Sequence, residues 1–279
     1  MSITTQGNTV AQQLSRLQTQ GLDRLDAQLL LLHVLQRPAH DRAWLVAHDT
    51  DAISEVELAQ LNLLAARRLA GEPLAYLTGH KEFFGLDLLV DSRVLDPRSD
   101  TETLVDWALE TLTPHAAGTV IDLGTGSGAI ALAMKATRPD LHVTALDFSA
   151  DALAVASHNA QRLQLPVQFL QGSWLHDVAG QFRTIVSNPP YIPSADRHLA
   201  VLTHEPLQAL ASGADGLADI RRIIDQAPKH LLPSGWLLLE HGYDQATAVR
   251  ALLVDAGFSN VQSRLDIAGI ERCSGGCFL

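Results

Sequence analysis

A four-residue segment, Asn188-Pro189-Pro190-Tyr191, follows a short apolar run and carries groups that could bind a planar amino group. Proline fixes φ and has no backbone N–H, so the two prolines predict a rigid loop whose carbonyl oxygens have few local partners. The Asn188 side chain offers one acceptor and two donors, and Tyr191 offers a flat ring and a hydroxyl. The Asn188 oxygen and the Pro189 carbonyl could therefore accept the two hydrogens of an –NH2 group whose plane lies against Tyr191.

This arrangement favours a reaction at nitrogen that depends on orientation more than on a strong base. Amide and exocyclic amine nitrogens are weak nucleophiles, so proximity and polarisation by the two acceptors must supply most of the rate. The proton can leave after the new bond has formed, when the nitrogen has become acidic.

Further upstream, residues 122–128 (DLGTGSG) form a glycine-rich turn between a predicted strand and a predicted helix. Such glycines let a ligand approach the backbone near the positive N-terminus of the helix. Asp147 ends the next predicted strand, where a carboxylate can accept hydrogen bonds from both ribose hydroxyls. Gly124, Gly126 and Ala129 also satisfy the permissive dinucleotide pattern, so a dehydrogenase remains open at this point.

An acidic residue, Asp122, stands two positions before a G-x-G-x-G spacing, which resembles the first motif of S-adenosylmethionine-dependent methyltransferases. In those enzymes the acidic residue supports the loop or the methionine part of the cofactor. The motif therefore favours a methyltransferase over a dehydrogenase, and a dehydrogenase would leave the segment 188–191 unexplained.

The elements that position these residues divide into two regions. From about residue 8 to 71, leucines recur at spacings of three to five, which predicts a small helical bundle. Within it, Ser54 and Glu57 form a capping box that opens a helix. Residues 82–95 predict a short hairpin, and a second capping box, Ser99 with Glu102, is expected to open a helix near 100–112.

From there the chain alternates short apolar strands with helices, which indicates a parallel sheet covered on both faces. The carboxyl edge of such a sheet binds ligands, and the glycine turn, Asp147 and the segment 188–191 all follow predicted strands. The strands are expected near 118–122, 142–146, 166–170, 183–187, 234–240 and 260–265, and the helices near 128–137, 150–163, 216–231 and 243–256.

The composition narrows the class of protein. The chain has 279 residues, 47% hydrophobic and 18% charged, which excludes wholesale disorder. A net charge of −11 argues against a protein that grips nucleic acid through many phosphates. Cys273 and Cys277 cannot build a four-cysteine zinc site or a disulfide framework; they are interpreted as surface positions, and no metal is expected. Without a secretory signal pattern or a membrane-length apolar run, the protein is expected to be soluble and cytoplasmic.

Motifs along nearly the whole chain resemble the HemK/PrmC family, protein-(glutamine-N5) methyltransferases that act on peptide chain release factors. The resemblance implies an α/β fold, a seven-stranded Rossmann-like class I S-adenosylmethionine-dependent methyltransferase domain preceded by a small all-α domain. Its divisions would be a helical substrate-recognition domain at 1–80, a hairpin linker at 81–99 and a methyltransferase domain at 100–279. The motifs are PLAYLTG at 73–79, EFF at 82–84, PR at 97–98, DTE at 100–102, DLGTGSG at 122–128, NPPY at 188–191, DGL at 215–217 and LEHG at 239–242.

The resemblance also implies residue roles. Catalysis would involve Asn188, Pro189 and Tyr191, and with Pro190 these would bind the glutamine of the Gly-Gly-Gln motif in class 1 release factors. Binding of S-adenosylmethionine is assigned to Gly124, Thr125, Gly126, Ser127, Gly128, Asp147, Trp174 and Asn188. Three residues depart from the family pattern, namely Asp96, Ser99 and Ser173; the last weakens the assignment of Trp174 to the adenine.

Other functions share parts of this pattern. Ribosomal-protein glutamine methyltransferases have the same loop, and similar Asn-Pro-Pro-Tyr loops occur in DNA adenine methyltransferases, which rotate the base out of the stack. The acidic charge and the lack of a basic recognition region count against direct nucleic-acid binding. A third class is a module that binds cofactor or partner without turnover. Such a module would be free to lose Asp147 and Asn188, so the presence of both counts against it.

Overall fold

The computed structural model describes residues 8–112 and 118–279; residues 1–7, where a signal would begin, lie outside this part of the chain. The chain divides into two compact units, Met1–Gly79 and His80–Leu279, so the hairpin belongs to the second unit. In the part of the chain that is described, no helix has both the length and the apolar character needed to cross a membrane.

The first unit is helical, as the leucine spacing predicts. Ser54 caps the fourth helix, since its hydroxyl accepts from the Glu57 backbone N–H and the Glu57 carboxylate accepts from Ser54 N. Buried apolar side chains from successive helices, among them Leu17, Leu31 and Leu61, form its core. The helices are α1 (Val10–Thr19), α2 (Arg24–Val34), α3 (Arg42–Ala47), α4 (Glu55–Leu69) and α5 (Leu74–Thr78).

The second unit begins with a hairpin and continues into an α/β sheet. The hairpin strands are β1 (His80–Phe83) and β2 (Leu86–Leu89), and the sheet strands are β3 (Thr119–Leu123), β4 (His142–Asp147), β5 (Gln168–Gln171), β6 (Phe182–Ser187), β7 (Leu231–Glu240), β8 (Ser259–Leu265) and β9 (Glu271–Phe278). The helices are α6 (Glu102–Glu110), α7 (Ala129–Thr137), α8 (Ala150–Leu163), α9 (Ala218–Gln226) and α10 (Ala246–Asp255).

The seven strands of the sheet lie in the order β5-β4-β3-β6-β7-β9-β8. Strands β3 to β7 are parallel, and β9 runs antiparallel to both of its neighbours. Ile121, Ile185 and Leu237, from the three central strands, are fully buried. The order reverses at β3, whose neighbours are β4 and β6, so the carboxyl ends of these three strands form the crevice that binds ligands in open α/β sheets.

The last strand corrects one prediction. The sequence predicts Cys273 and Cys277 at the surface, but both are buried in β9, between β7 and β8. The reason is packing: a Cβ added at Gly275 would lie 2.6 Å from the Leu237 carbonyl oxygen, so only glycine fits there. A Cys-Ser-Gly-Gly-Cys run is typical of a loop. The strands that pack closely against it here are distant in the sequence, so the sequence does not reveal its burial.

The second predicted capping box is also wrong. Ser99 lies in a 3-10 turn, Ser99–Thr101, whose preceding residue makes no side-chain cap, and α6 follows from Glu102. The Glu102 carboxylate accepts a hydrogen bond from Phe84 N at 3.1 Å instead. This carboxylate therefore ties the hairpin turn to the start of α6.

Candidate active site

The carboxyl ends of β3, β4 and β6 open onto a cavity of about 320 Å³. Residues from all three strand ends and from the following loops line it, among them Gly124, Gly126, Asp147, Trp174, Asn188 and Pro190. The two patterns read separately from the sequence, the glycine turn and the Asn-Pro-Pro-Tyr segment, thus meet in one cavity.

The glycine turn is held by the neighbouring strand. The backbone N–H groups of Gly124 and Thr125 both donate to the Leu146 carbonyl, at 2.8 and 2.9 Å. Gly126 N donates to Asp147 Oδ2 at 2.9 Å. Gly124 has a φ of +72° and Gly128 a φ of +86°, a left-handed backbone that favours glycine.

Asp122 lies below this turn and is completely buried. Its Oδ2 accepts from the Thr125 hydroxyl at 2.6 Å and from Ala131 N at 3.2 Å, so one carboxylate joins the turn to the first residues of α7. Burial raises the pKa of Asp122 to about 7, opposed by these two hydrogen bonds. Asp122 therefore supports the loop from below and does not form part of the cavity surface.

Asp147 reaches the cavity from the end of β4. Its Oδ1 accepts from Ser149 N at 2.9 Å while Oδ2 accepts from Gly126 N. Burial raises the pKa of this carboxyl, and the backbone hydrogen bonds oppose the shift. Asp147 is thus an oriented acceptor beside the glycine turn.

The Trp174 indole lies against the glycine turn. A Cβ added at Gly124 would lie 3.5 Å from its ring. The indole N–H donates to Asp219 Oδ1 at 3.1 Å, and Ser212 Oγ donates to the other oxygen of that carboxylate at 2.7 Å. Trp174 is therefore a fixed wall of the cavity.

Thr125, Ser127 and Gly128 lie buried beneath the turn rather than on its surface. The Ser127 carbonyl accepts from the Asn159 side-chain amide at 3.0 Å. The Asn159 side chain also donates to the Leu89 carbonyl and accepts from Leu89 N. These residues connect the glycine turn to α8 and the hairpin.

The Asn-Pro-Pro-Tyr segment leaves the end of β6. Asn188 and Pro190 line the cavity, whereas Pro189 is buried. Asn188 Nδ2 donates to Thr101 Oγ1 at 3.2 Å. The Tyr191 ring packs against the core of the sheet domain, and its hydroxyl donates to Glu240 Oε1 at 3.5 Å. Burial and the neighbouring Glu240 charge raise the pKa of Tyr191, so its hydroxyl stays protonated.

The backbone of this segment is held from the opposite side. Gln245 Nε2 donates to the Tyr191 carbonyl at 3.0 Å, and Gly242 N donates to Gln245 Oε1 at 2.8 Å. Gly216 approaches the same carbonyl, leaving no space for a side chain.

The residue types and their spacing predict no role for several of these residues. Thr101, Glu240 and Gly216 lie within the family motifs, but the motifs predict no chemistry for them, and only their contacts show which groups they hold. Asn159 and Gln245 have no local signal at all, since both act on backbone groups more than 30 residues away. Among residues 8–112 and 118–279, no cluster of three or more His, Cys, Asp or Glu side chains could hold a metal ion.

The sheet order, the carboxylate-supported glycine turn and the cavity at the strand ends together define a class I methyltransferase. Residues 100–262 match the family model of the methyltransferase small domain, and residues 9–79 match that of the PrmC N-terminal domain. The chain belongs to the HemK/PrmC family of release factor glutamine methyltransferases, which confirms the predicted fold class and family.

Two curated relatives illustrate this membership. A release factor glutamine methyltransferase of Bordetella pertussis is 54% identical over 260 residues, which cover 92% of this chain and 95% of that protein. Its counterpart in Vibrio cholerae is 46% identical over 267 residues, covering 92% of this chain and 91% of that protein.

Solved structures of lower identity share the fold. A methyltransferase from Pyrococcus furiosus matches with a TM-score of 0.54 and 19% identity, covering 76% of this chain and 96% of that one. The hMettl16 catalytic domain matches with a TM-score of 0.58 and 15% identity, over 81% of this chain and 83% of that one.

Proposed function

We propose that this protein transfers a methyl group from S-adenosylmethionine to the side-chain amide nitrogen of a glutamine in class 1 peptide chain release factors. The observation that carries the proposal is the meeting of the glycine turn, Asp147 and Asn188 in one cavity. The relatives from Bordetella pertussis and Vibrio cholerae carry the name of this activity over nine-tenths of the chain.

The residues around the cavity fit S-adenosylmethionine. Asp147 presents a carboxylate that its backbone hydrogen bonds orient, and such an acceptor suits the two ribose hydroxyls. The Trp174 ring is a flat apolar wall, suited to the adenine. Gly124 and Gly126 allow close approach to the backbone, where the methionine part would lie. When bound, this co-substrate supplies an electrophilic methyl group on a sulfonium.

The substrate amide would be held by the Asn-Pro-Pro-Tyr segment. Its two hydrogens would be accepted by the Asn188 side-chain oxygen and the Pro189 carbonyl, with Tyr191 beside it. Both acceptors polarise the nitrogen and become stronger partners as positive charge develops there, so they stabilise the transition state more than the bound substrate. Tyr191 is protonated and hydrogen-bonded to Glu240, which suits it to packing and not to proton abstraction.

In the reaction, a C–N bond forms between the methyl carbon and the amide nitrogen while the C–S bond breaks. The electron pair of that bond stays on sulfur, giving S-adenosylhomocysteine, and the nitrogen proton leaves to water after transfer. The protein's own contribution is orientation of the nitrogen lone pair, a proximity effect that can supply several orders of magnitude in rate.

The expected partner is a class 1 release factor whose Gly-Gly-Gln loop presents the glutamine. We propose that the helical unit Met1–Gly79 provides protein recognition, since the chemistry-bearing residues all belong to the other unit. Because release factors act at the ribosome, the protein would work in the cytoplasm.

Mass spectrometry of a purified class 1 release factor, incubated with this protein and S-adenosylmethionine, tests the proposal. We expect a gain of one methyl group, located on the Gly-Gly-Gln glutamine, and no gain in a factor whose glutamine is replaced by alanine. Labelling of a ribosomal protein or of adenine in nucleic acid, without labelling of the release factor, would retain the loop chemistry and reject the substrate. No transfer to any of the three would reject the activity.

A further inference from the structure

Thr101 is the residue to which the Asn188 side-chain amide donates a hydrogen bond. It ends the 3-10 turn before α6 and is 4% exposed. Its Oγ1 lies 3.2 Å from Asn188 Nδ2. A buried hydroxyl thus meets the nitrogen end of the side chain whose oxygen end the proposed reaction needs.

Glu240 favours one direction of that hydrogen bond. Its side chain is buried, with 1% exposure, at the end of β7. Its Oε1 accepts from the Tyr191 hydroxyl at 3.5 Å. Burial raises the pKa of Glu240 to about 7, opposed by the nearby Thr101 hydroxyl. Where Glu240 is ionised it can only accept, so it favours the Thr101 hydroxyl orientation whose hydrogen points toward the carboxylate.

The structure places Asn188 Nδ2 against Thr101 Oγ1, so the Thr101 oxygen accepts this hydrogen bond. Asn188 must then present its NH2 group to Thr101, which leaves its carbonyl oxygen for the cavity that the side chain lines. The reverse orientation would place the Asn188 NH2 group against the NH2 group of the substrate, and two donors cannot form a hydrogen bond.

We propose that Thr101, supported by Glu240, is a positioning residue for methyl transfer that fixes the Asn188 amide with its oxygen toward the substrate nitrogen. The proposal rests on the proposed function, because it assigns the orientation of the acceptor used there. Thr101 itself touches neither substrate nor co-substrate in this scheme, and it acts through Asn188.

The substitution Thr101→Val removes the hydroxyl and keeps the branched shape, whereas Thr101→Ser keeps the hydroxyl and removes a methyl group. We expect Thr101→Val to lower kcat for release factor methylation by about tenfold or more, the effect of losing one buried hydrogen bond. Thr101→Ser should restore most of that rate. The KM for S-adenosylmethionine should be unchanged in both variants, because Asp147 and the glycine turn are untouched.

The same substitution in an Asn188→Ala background tests whether Thr101 acts through Asn188. We expect Thr101→Val to add no further loss there, measured by single-turnover transfer of a radiolabelled methyl group. An equal loss in both backgrounds would overturn the proposal, as would a wild-type kcat for Thr101→Val. A general packing defect would lower the rates of the Val and Ser variants together and would count against it.

A readout that needs no substrate separates this proposal from the proposed function. The side-chain NH2 of Asn188, assigned in ¹⁵N spectra by its absence from Asn188→Ala, should exchange slowly with solvent in the wild type and in Thr101→Ser. It should exchange faster in Thr101→Val; equal exchange in all three would overturn the positioning role. If the exchange pattern holds but the wild type does not methylate a release factor, the proposed substrate is wrong and the orientation of Asn188 stands.

Discussion

Gly216 offers a perturbation of the Asn-Pro-Pro-Tyr segment that changes none of its residues. It has a φ of +76° and lies against the Tyr191 carbonyl. A Cβ added there would lie 3.0 Å from the Tyr191 carbonyl carbon, closer still to its oxygen, and 2.7 Å from Gln245 Nε2. Gly216→Ala therefore forces the Tyr191 carbonyl and its hydrogen-bonding partner to move.

The size of the effect follows from the required movement. Restoring an ordinary carbon–oxygen contact shifts the Tyr191 carbonyl by about 1 Å, and a displacement of that size at a positioning group costs roughly 100-fold in rate. The left-handed backbone adds about 1 to 2 kcal/mol of destabilisation for a residue with a Cβ. Cofactor affinity should change little, because the glycine turn and Asp147 are held by β4 and not by Gly216.

Gly180→Ala is the matched control. Gly180 also has a left-handed backbone, with a φ of +94°, but no atom of the described residues lies within 4 Å of an added Cβ. It precedes β6 at the opposite edge of the sheet from the cavity. The control shares the backbone strain and lacks the collision with Tyr191.

The assay compares kcat for release factor methylation, the Kd for S-adenosylmethionine by calorimetry and the free energy of unfolding. Both variants should lose the stability that the left-handed backbone costs, Gly216→Ala should lose more because of its collision, and only Gly216→Ala should lose about two orders of magnitude in kcat. A kcat for Gly216→Ala within a few-fold of the control would refute the reasoning that the Tyr191 backbone position sets the rate.

Three further outcomes are expected. Asn188→Ala should lower turnover by about 100-fold or more and leave the Kd for S-adenosylmethionine nearly unchanged, because it removes an acceptor that is strongest in the transition state; near-normal turnover would contradict the orientation mechanism. Asp147→Ala should instead weaken S-adenosylmethionine binding first, so saturating co-substrate should recover much of the rate in a kinetic titration. Asp122→Asn keeps an acceptor oxygen for the turn but cannot ionise. Since the folded-state pKa of Asp122 is raised to about 7, the folded protein binds this proton more tightly than the unfolded chain, and the contribution of Asp122 to stability falls as pH rises from about 4 to 7. Unfolding measured against pH should therefore show the Asn variant gaining on the wild type across that window, by on the order of 4 kcal/mol at most, and a constant difference would show that Asp122 titrates normally.

Much of the fold and the location of the site could be predicted from the sequence. Hydrophobic periodicity separated the helical unit from the α/β unit, because each element must bury an apolar face with its own spacing. The glycine turn, Asp147 and the Asn188 segment all follow parallel strands, and parallel strands place their carboxyl ends at one edge. Local chemistry and topology were therefore enough to bring these groups together.

Other features depend on contacts between distant parts of the chain. The Asn188–Tyr191 segment is contacted from three distant parts of the chain, by Thr101, Gly216 and Glu240. No local sequence pattern predicts which groups these residues contact. The sequence mispredicts the burial of Cys273 for the same reason. Whether a Gly-rich run forms an inner strand depends on how closely the neighbouring strands approach it, and only the tertiary structure sets that distance.

The residue types and their order along the chain thus determined which groups could bind a nucleotide-like co-substrate and a planar amide. Only the tertiary structure decided how those groups are oriented. The orientation of an amide depends on which end meets a donor or an acceptor, and for Asn188 that partner, Thr101, lies 87 residues away in the chain.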